Sequence, residues 1–104
     1  MPDQLAPIFR VKDGRSTAGW YASLGFELEG EHRFGDGYPL YMFLRRGDVI
    51  LHLSEHKGDA PVGSLVYFYV DDVDVIAREF EAPVIEQPWC REIELTDPDG
   101  NRLL

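Results

Sequence analysis

Cysteine, basic residues and long apolar runs are all scarce in this chain of 104 residues. The single cysteine, Cys90, has no partner for an internal disulfide, which fits a reducing cytoplasm. Ten basic residues against nineteen acidic ones give a net charge of −9, which disfavours binding to nucleic acid or an anionic membrane. No segment approaches the about 20 apolar residues that span a membrane, and the start, MPDQLAPIF, lacks a signal-peptide pattern. We therefore expect a cytoplasmic domain without nucleic-acid or membrane partners.

A short pattern occurs twice in the chain at one constant offset, which indicates an internal duplication. The repeated letters are a phenylalanine, a valine and an aspartate at alternate positions: Phe9, Val11 and Asp13, then Phe68, Val70 and Asp72. In both places a β-rich run comes before an acid that is able to cap a helix. Each half is therefore expected to begin with a strand followed by a helix.

The helix boundaries follow from the capping residues. The first helix is expected to begin near Asp13 or Ser16 and to stop at Gly25, and the second to begin at Asp71 or Asp72. Apolar residues at helical spacing predict the buried faces. They are Trp20, Tyr21 and Leu24 in the first helix, and Val73, Ile76, Ala77 and Phe80 in the second.

Strands account for most of the remaining chain. Alternating, aromatic and β-branched runs predict strands over residues 25–33, 38–44, 49–53, 89–96 and 101–104. Tight turns are expected at Arg46-Gly47-Asp48 and at Asp97-Pro98-Asp99-Gly100. Each half then has the order βαβββ, which predicts one α+β domain made of a first module, residues 1–60, and a second module, residues 61–104.

The segment LRRGDVILHLSEH carries three side chains of the kind that bind metals: His52, Glu55 and His56. In a strand each residue rises about 3.3 Å, so the two histidines lie roughly 13 Å apart on one face. A single ion cannot bridge them, because zinc–nitrogen bonds are about 2 Å long. Glu55 points the other way, and we expect it to lie with His56, Lys57 and Asp59 in a solvated loop.

Five segments carry a resemblance to a known family: FRVKD, WYASLGFELE, LRRGDVILHLSEH, YFYVDDVD and PWCREIELTDPDGNRLL. Together they resemble the glyoxalase, bleomycin-resistance and extradiol-dioxygenase superfamily over nearly the whole chain. Within it, RRGDVILHLS and PWCREIELTDPDGN are most similar to bleomycin-binding members. The resemblance implies two βαβββ modules whose curved sheets form a cup. It also implies a homodimer that completes the cup, by strand pairing or by swapping the amino-terminal segment.

The resemblance also bears on metal binding. Metal-dependent members hold one ion with four side chains, and the matching positions here are Ala6, His52, Ser64 or Leu65, and Leu104. Only His52 is able to coordinate a metal, whereas a catalytic site needs about three protein ligands. We therefore expect no metal, no cofactor and no catalytic residue.

For ligand binding, the resemblance implies that planar rings stack on Trp89 and against Phe34 or Tyr38 of the FGDGY loop. His52 and Arg10 are then candidates for polar contacts, and Tyr67 lies on a phenol-rich strand face that suits a cup lining. Each residue also has a simpler reading. Trp89 suits an ordinary core position, Phe34 and Tyr38 suit hairpin packing, His52 suits a hydrogen bond to a neighbouring strand, Arg10 suits pairing with an acid, and Tyr67 suits a dimer interface.

The function expected from these observations is sequestration, without catalysis, of a bleomycin-like glycopeptide in an aromatic and acidic groove. Two alternatives stay open. One is a metal-dependent lyase, isomerase or dioxygenase with ligands at shifted positions, and the other is a binder of a different aromatic metabolite.

Overall fold

A computed structural model describes residues 3–104, which form an α+β fold, as the sequence predicts. In chain order the elements are β1 (Ile8–Arg10), α1 (Gly14–Ser23), β2 (Glu27–His32), β3 (Tyr41–Arg46), β4 (Val49–Ser54), β5 (Leu65–Val66), α2 (Val73–Glu79), β6 (Ile85–Glu86), β7 (Arg91–Glu92), β8 (Leu95–Thr96) and β9 (Arg102–Leu103). Neither helix of the described residues is long and apolar enough to cross a membrane.

The first sheet has the strand order β1-β4-β3-β2. Strands β3 and β4 form an antiparallel hairpin around Gly47, whose φ of 58° is readily accessible only without a Cβ. β1 pairs in parallel with β4 of its own chain. The side chains that alternate toward α1 form the centre of the core: Met42, Leu44, Leu51 and Leu53. The intervening side chains of the same strands lie on the opposite face of the sheet.

Both helices begin where the capping residues predict. Asp13 caps α1 by accepting a hydrogen bond from the Ser16 backbone N–H, and Asp72 caps α2 by accepting two such bonds. The expected burial is confirmed for Tyr21, Leu24, Ile76 and Ala77, whereas Trp20, Val73 and Phe80 are only half-buried. The Trp20 ring packs edge-on against Phe80, so an aromatic contact joins α1 to the end of α2.

The second half contains a three-stranded sheet, β5-β9-β8, and a separate β6-β7 hairpin. The expected continuous strand over residues 89–96 is therefore wrong. β7 pairs with β6, whereas β8 pairs with β9. The strand is therefore interrupted between Glu92 and Leu95, where the pairing partner changes. The strand expected over 38–44 also begins later, at Tyr41, because residues 33–40 form the loop before it.

The DPDGN turn ties the two halves together through buried hydrogen bonds. Tyr21 on α1 donates its hydroxyl to Asp97 Oδ2 at 2.8 Å. The Asn101 amide donates to the same oxygen at 3.0 Å and to the Arg10 carbonyl at 3.1 Å. Its carbonyl accepts from the Ser64 backbone N–H at 2.9 Å. Burial, followed by the hydrogen bond to Asp97, raises the pKa of Tyr21 far above its ordinary value. The turn therefore acts as an internal cross-link between residues distant in sequence.

Glu55 lies in the loop after β4, as predicted, but it is half-buried in a second cross-link, so its expected solvation is wrong. Its carboxylate accepts from the backbone N–H of Gly14 at 2.8 Å and from that of Leu40 at 3.0 Å. Asp59, from the same segment, accepts from the Ser54 hydroxyl at 2.6 Å. Glu55 thus holds the start of α1 against the loop that precedes β3.

Candidate functional site

The face of the first sheet opposite α1 carries several of the residues singled out by sequence. Alternation and strand register place Ile8 and Arg10 of β1, Tyr41 and Phe43 of β3, and His52 of β4 on this open face. Phe43 on the inner strand β3 and Ile8 on the edge strand β1 are each 37% exposed, although both side chains are large and apolar. The open face is thus an aromatic surface that solvent reaches.

His52 is held in the middle of the open face. Its Nδ1 lies 2.8 Å from the Tyr41 hydroxyl, and its ring meets the Phe43 ring edge-on at 4.9 Å. Burial lowers the pKa of His52 and raises that of Tyr41, so both side chains favour their neutral forms. A hydrogen bond to the neighbouring strand therefore fixes His52.

Phe34, Tyr38 and Arg10 are the other candidates of the first module. Phe34 is 72% exposed and contacts His32 and His56 edge-on, with ring centroids 4.6 Å and 6.2 Å apart. Tyr38 is 58% exposed, so core hairpin packing is not the role of either aromatic ring. Arg10 is half-buried and donates to the Lys57 carbonyl at 3.3 Å.

Trp89 and Tyr67 form a second aromatic group. Trp89 lies at the tip of the β6-β7 hairpin, in a turn closed by hydrogen bonds between Gln87 and Cys90, and it is 68% exposed. The expectation of an ordinary core tryptophan thus does not hold. The Glu92 carboxylate raises the pKa of the Tyr67 phenol, and the Trp89 indole N–H partly opposes that rise. Tyr67 also stacks on Tyr69, with ring centroids 5.8 Å apart and planes 17° from parallel.

Sequence reasoning missed Glu92, which the structure buries beneath this second group. Only 8% of Glu92 is exposed, and its Oε1 accepts a hydrogen bond from the Tyr67 hydroxyl at an O···O distance of 2.7 Å. That bond is the main reason why the pKa of Tyr67 is raised. The sequence indicated the position of Glu92 only through the alternation of side chains along a strand. Ile93 and Leu95 face the core, while Glu92 faces the phenols. In a chain with many acids, alternation alone did not single it out.

The six candidates are therefore divided between two places. Arg10, Phe34, Tyr38 and His52 belong to the first module, whereas Tyr67 and Trp89 belong to the second. Within residues 3–104, no hydrogen bond or ring contact joins the two sets. A cleft of about 360 Å³ lies between the halves, and Tyr67 is the one candidate of the six that lines it. The same described residues contain no group of three or more His, Cys, Asp or Glu side chains that could hold a metal.

The fold pairs two α/β halves that hydrogen bonds of the DPDGN turn hold together, and it leaves one sheet face open and aromatic. The sequence model for "Glyoxalase superfamily protein" matches residues 1–104, and the chain belongs to this superfamily. A curated bleomycin resistance protein from Klebsiella pneumoniae is 32% identical over 99% of this chain and 90% of its own length. The resemblance to bleomycin resistance proteins is thus confirmed.

Solved structures agree with this placement. A bleomycin resistance determinant encoded on the transposon Tn5 superposes with a TM-score of 0.77 at 27% identity, covering 98% of this chain and 94% of its own. A bleomycin-binding protein complexed with bleomycin superposes with a TM-score of 0.69 at 26% identity, covering 98% and 95%. Both comparisons confirm the fold expected from the sequence resemblance.

Proposed function

We propose that this protein binds a bleomycin-like glycopeptide and sequesters it without chemical change. The observation that carries the proposal is the exposure of three aromatic side chains, Trp89, Phe34 and Tyr38, in a chain similar along its length to bleomycin-binding proteins. An exposed aromatic ring gains favourable burial when a ligand covers it. Each stacked pair of rings contributes about 0.5–1.5 kcal/mol beyond that burial. Flat heteroaromatic rings of the ligand are the complement of such side chains.

The surface charge supports a cationic ligand. The net charge of −9 attracts the positively charged tail that the resemblance assigns to these drugs. On the open face, His52 and Arg10 serve as polar contacts for the ligand, with no role in catalysis.

We infer a cytoplasmic location from the single, half-buried Cys90, which is a free thiol.

We further propose that two chains form a symmetric homodimer that completes the binding groove. The aromatic residues of the first module and those of the second lie apart within one chain, so a second copy brings one set opposite the other. Exposed apolar residues on the open face, Ile8 and Phe43, gain the burial that a dimer interface supplies. Swapping of the β1 segment between chains is one way to build this contact.

Light scattering at micromolar concentration tests the dimer. The expected mass is about twice the 11.9 kDa of one chain. Phe43→Asp places a charge on the open face and is expected to give monomers. Val62→Ala, at a residue 73% exposed in the loop before β5, should leave the mass unchanged. A wild-type mass of one chain at all concentrations contradicts the dimer.

Fluorescence titration with bleomycin tests the binding. In Trp20→Phe the remaining indole is Trp89, and its emission is expected to fall as the drug stacks on it. Trp89→Ala should weaken binding by about 1–3 kcal/mol, as removal of a packed aromatic anchor does. Val62→Ala is the matched control with an exposed apolar side chain, and its affinity should equal that of the wild type.

Two outcomes contradict sequestration. One is that bleomycin changes neither the tryptophan emission nor the melting temperature, which favours a different aromatic ligand. The other is recovery of a chemically altered drug, together with about one tightly held metal ion per chain by elemental analysis. That result favours the metal-dependent enzyme.

A further inference from the structure

Glu92 is a buried carboxylate without a cationic partner among residues 3–104. The two arginines nearest to it in the chain are paired elsewhere: Arg91 with Asp74 and Glu86, and Arg102 with Glu94. Removing a carboxylate from water is costly unless a cation or several hydrogen bonds compensate. Oε1 of Glu92 accepts hydrogen bonds from the Tyr67 hydroxyl at 2.7 Å and from the Cys90 thiol at 3.9 Å.

The other carboxylate oxygen is free to receive a ligand. No donor from residues 3–104 forms a hydrogen bond with Oε2. Every fully buried side-chain oxygen or nitrogen among those residues does have a hydrogen-bond partner, so Oε2 is not fully buried. Oε2 therefore lies where solvent reaches it, although Glu92 as a whole is only 8% exposed. An acceptor of this kind suits a single cation that enters from outside.

A cavity of about 140 Å³ adjoins Glu92. Apolar side chains of α2 and of the second module, including Val73, Ile76 and Leu103, line part of it. The stacked rings of Tyr67 and Tyr69 also line it, and aromatic faces attract cations. Its volume is close to the about 150 Å³ of a cavity that accepts benzene. The cavity thus combines an apolar wall of one-ring size with a carboxylate and two phenols.

We propose that this cavity is a binding site for a small arylalkyl-ammonium ion. The ammonium group donates to Oε2 of Glu92 beside the rings of Tyr67 and Tyr69, and the aryl ring packs against the apolar residues of α2. The site adjoins the groove proposed for bleomycin and shares Tyr67 with it, but it does not depend on that proposal. A neutral ligand of the same shape gains the apolar contacts but not the interaction with the carboxylate.

Calorimetric titration with benzylammonium tests the site, with benzyl alcohol and benzoate as neutral and anionic probes of similar shape. Wild-type protein is expected to prefer benzylammonium over benzyl alcohol by at least about tenfold, the lower bound for a hydrogen bond to a charged group. Glu92→Gln is expected to remove that preference and to leave benzyl alcohol binding unchanged. Glu79→Gln, at an exposed acid of α2, is the matched control and should retain it.

Methyl NMR spectra of the wild-type protein give an independent reading if Glu92→Gln folds poorly. Benzylammonium should shift the methyl signals of Val73, Ile76 and Leu103, while those of Ile8 on the open face stay unchanged. Equal affinity for the ammonium and the alcohol, retention of the preference in a folded Glu92→Gln, or shifts confined to Ile8 overturns the proposal. So does the absence of any shift at millimolar probe.

Phe34→Ala separates this site from the bleomycin groove. This substitution is expected to weaken bleomycin binding and to leave benzylammonium binding within about twofold of wild type, since the recorded ring contacts of Phe34 are with His32 and His56 of the first module. A protein that binds benzylammonium but not bleomycin refutes the proposed function alone. The reverse pattern refutes this site alone.

Discussion

Removing the hydroxyl of Tyr21 tests whether the DPDGN turn holds the two halves together. Tyr21→Phe keeps the ring packed against Phe9 and Phe26 but deletes the 2.8 Å hydrogen bond to Asp97. A hydrogen bond to a charged group contributes about 1.5–3 kcal/mol. Asp97 Oδ2 keeps the Asn101 amide as a donor, so the loss should stay near that range. For a domain of this size it corresponds to a fall in melting temperature of roughly 6–24 °C.

The same phenol predicts a specific dependence on pH. The folded pKa of Tyr21 is raised above its unfolded value of about 10, chiefly by burial and then by Asp97. A raised pKa contributes stability that is complete below the unfolded value and is lost as the pH rises above it. At pH 11 the unfolded phenol ionises while the folded one does not, which removes about 1.4 kcal/mol from the wild type. Tyr21→Phe has no such loss.

Urea unfolding of both proteins at pH 8 and pH 11 measures both effects. The difference in free energy of unfolding should be about 1.5–3 kcal/mol at pH 8 and smaller by about 1.4 kcal/mol at pH 11. Other tyrosines with raised pKa values, Tyr41 and Tyr67, are present in both proteins and cancel in the comparison. A difference below about 0.5 kcal/mol at pH 8, or one unchanged by pH, refutes the role assigned to this hydrogen bond.

Other perturbations have equally definite consequences. Glu55→Ala leaves two part-buried backbone N–H groups without their acceptor and should cost about 1–3 kcal/mol in urea unfolding, whereas wild-type stability rules out the second cross-link. Gly14→Ala brings a Cβ to 2.8 Å from Met42 Sδ and should cost about 1–3 kcal/mol, part of it recovered in the double variant with Met42→Leu. Additive losses in that pair count against the steric contact. Raising ionic strength should weaken bleomycin binding moderately, yet leave the loss caused by Trp89→Ala nearly constant, because stacking is insensitive to salt.

Local chemistry was sufficient to predict much of this fold from sequence. Asp13 and Asp72 mark the helix starts because an acidic side chain at that position satisfies backbone N–H groups of its own first turn. The β3-β4 hairpin follows from two apolar runs around Gly47. The five segments that resemble the superfamily indicated the family. Trp89, Phe34 and Tyr38 were singled out as candidates by resemblance, and their shared role as ligand contacts stays a prediction.

Contacts between distant residues decided the rest. The break between β7 and β8 depends on pairing with β6 on one side and β9 on the other, which no run of apolar letters encodes. Glu55 and Glu92 look like ordinary surface acids in a chain of net charge −9. Glu55 became structural only when folding brought Gly14 to it across 41 positions, and Glu92 when Tyr67 covered it across 25. Burial and hydrogen-bond partners are properties of the packed chain, so the tertiary structure alone distinguishes these two carboxylates from the exposed ones.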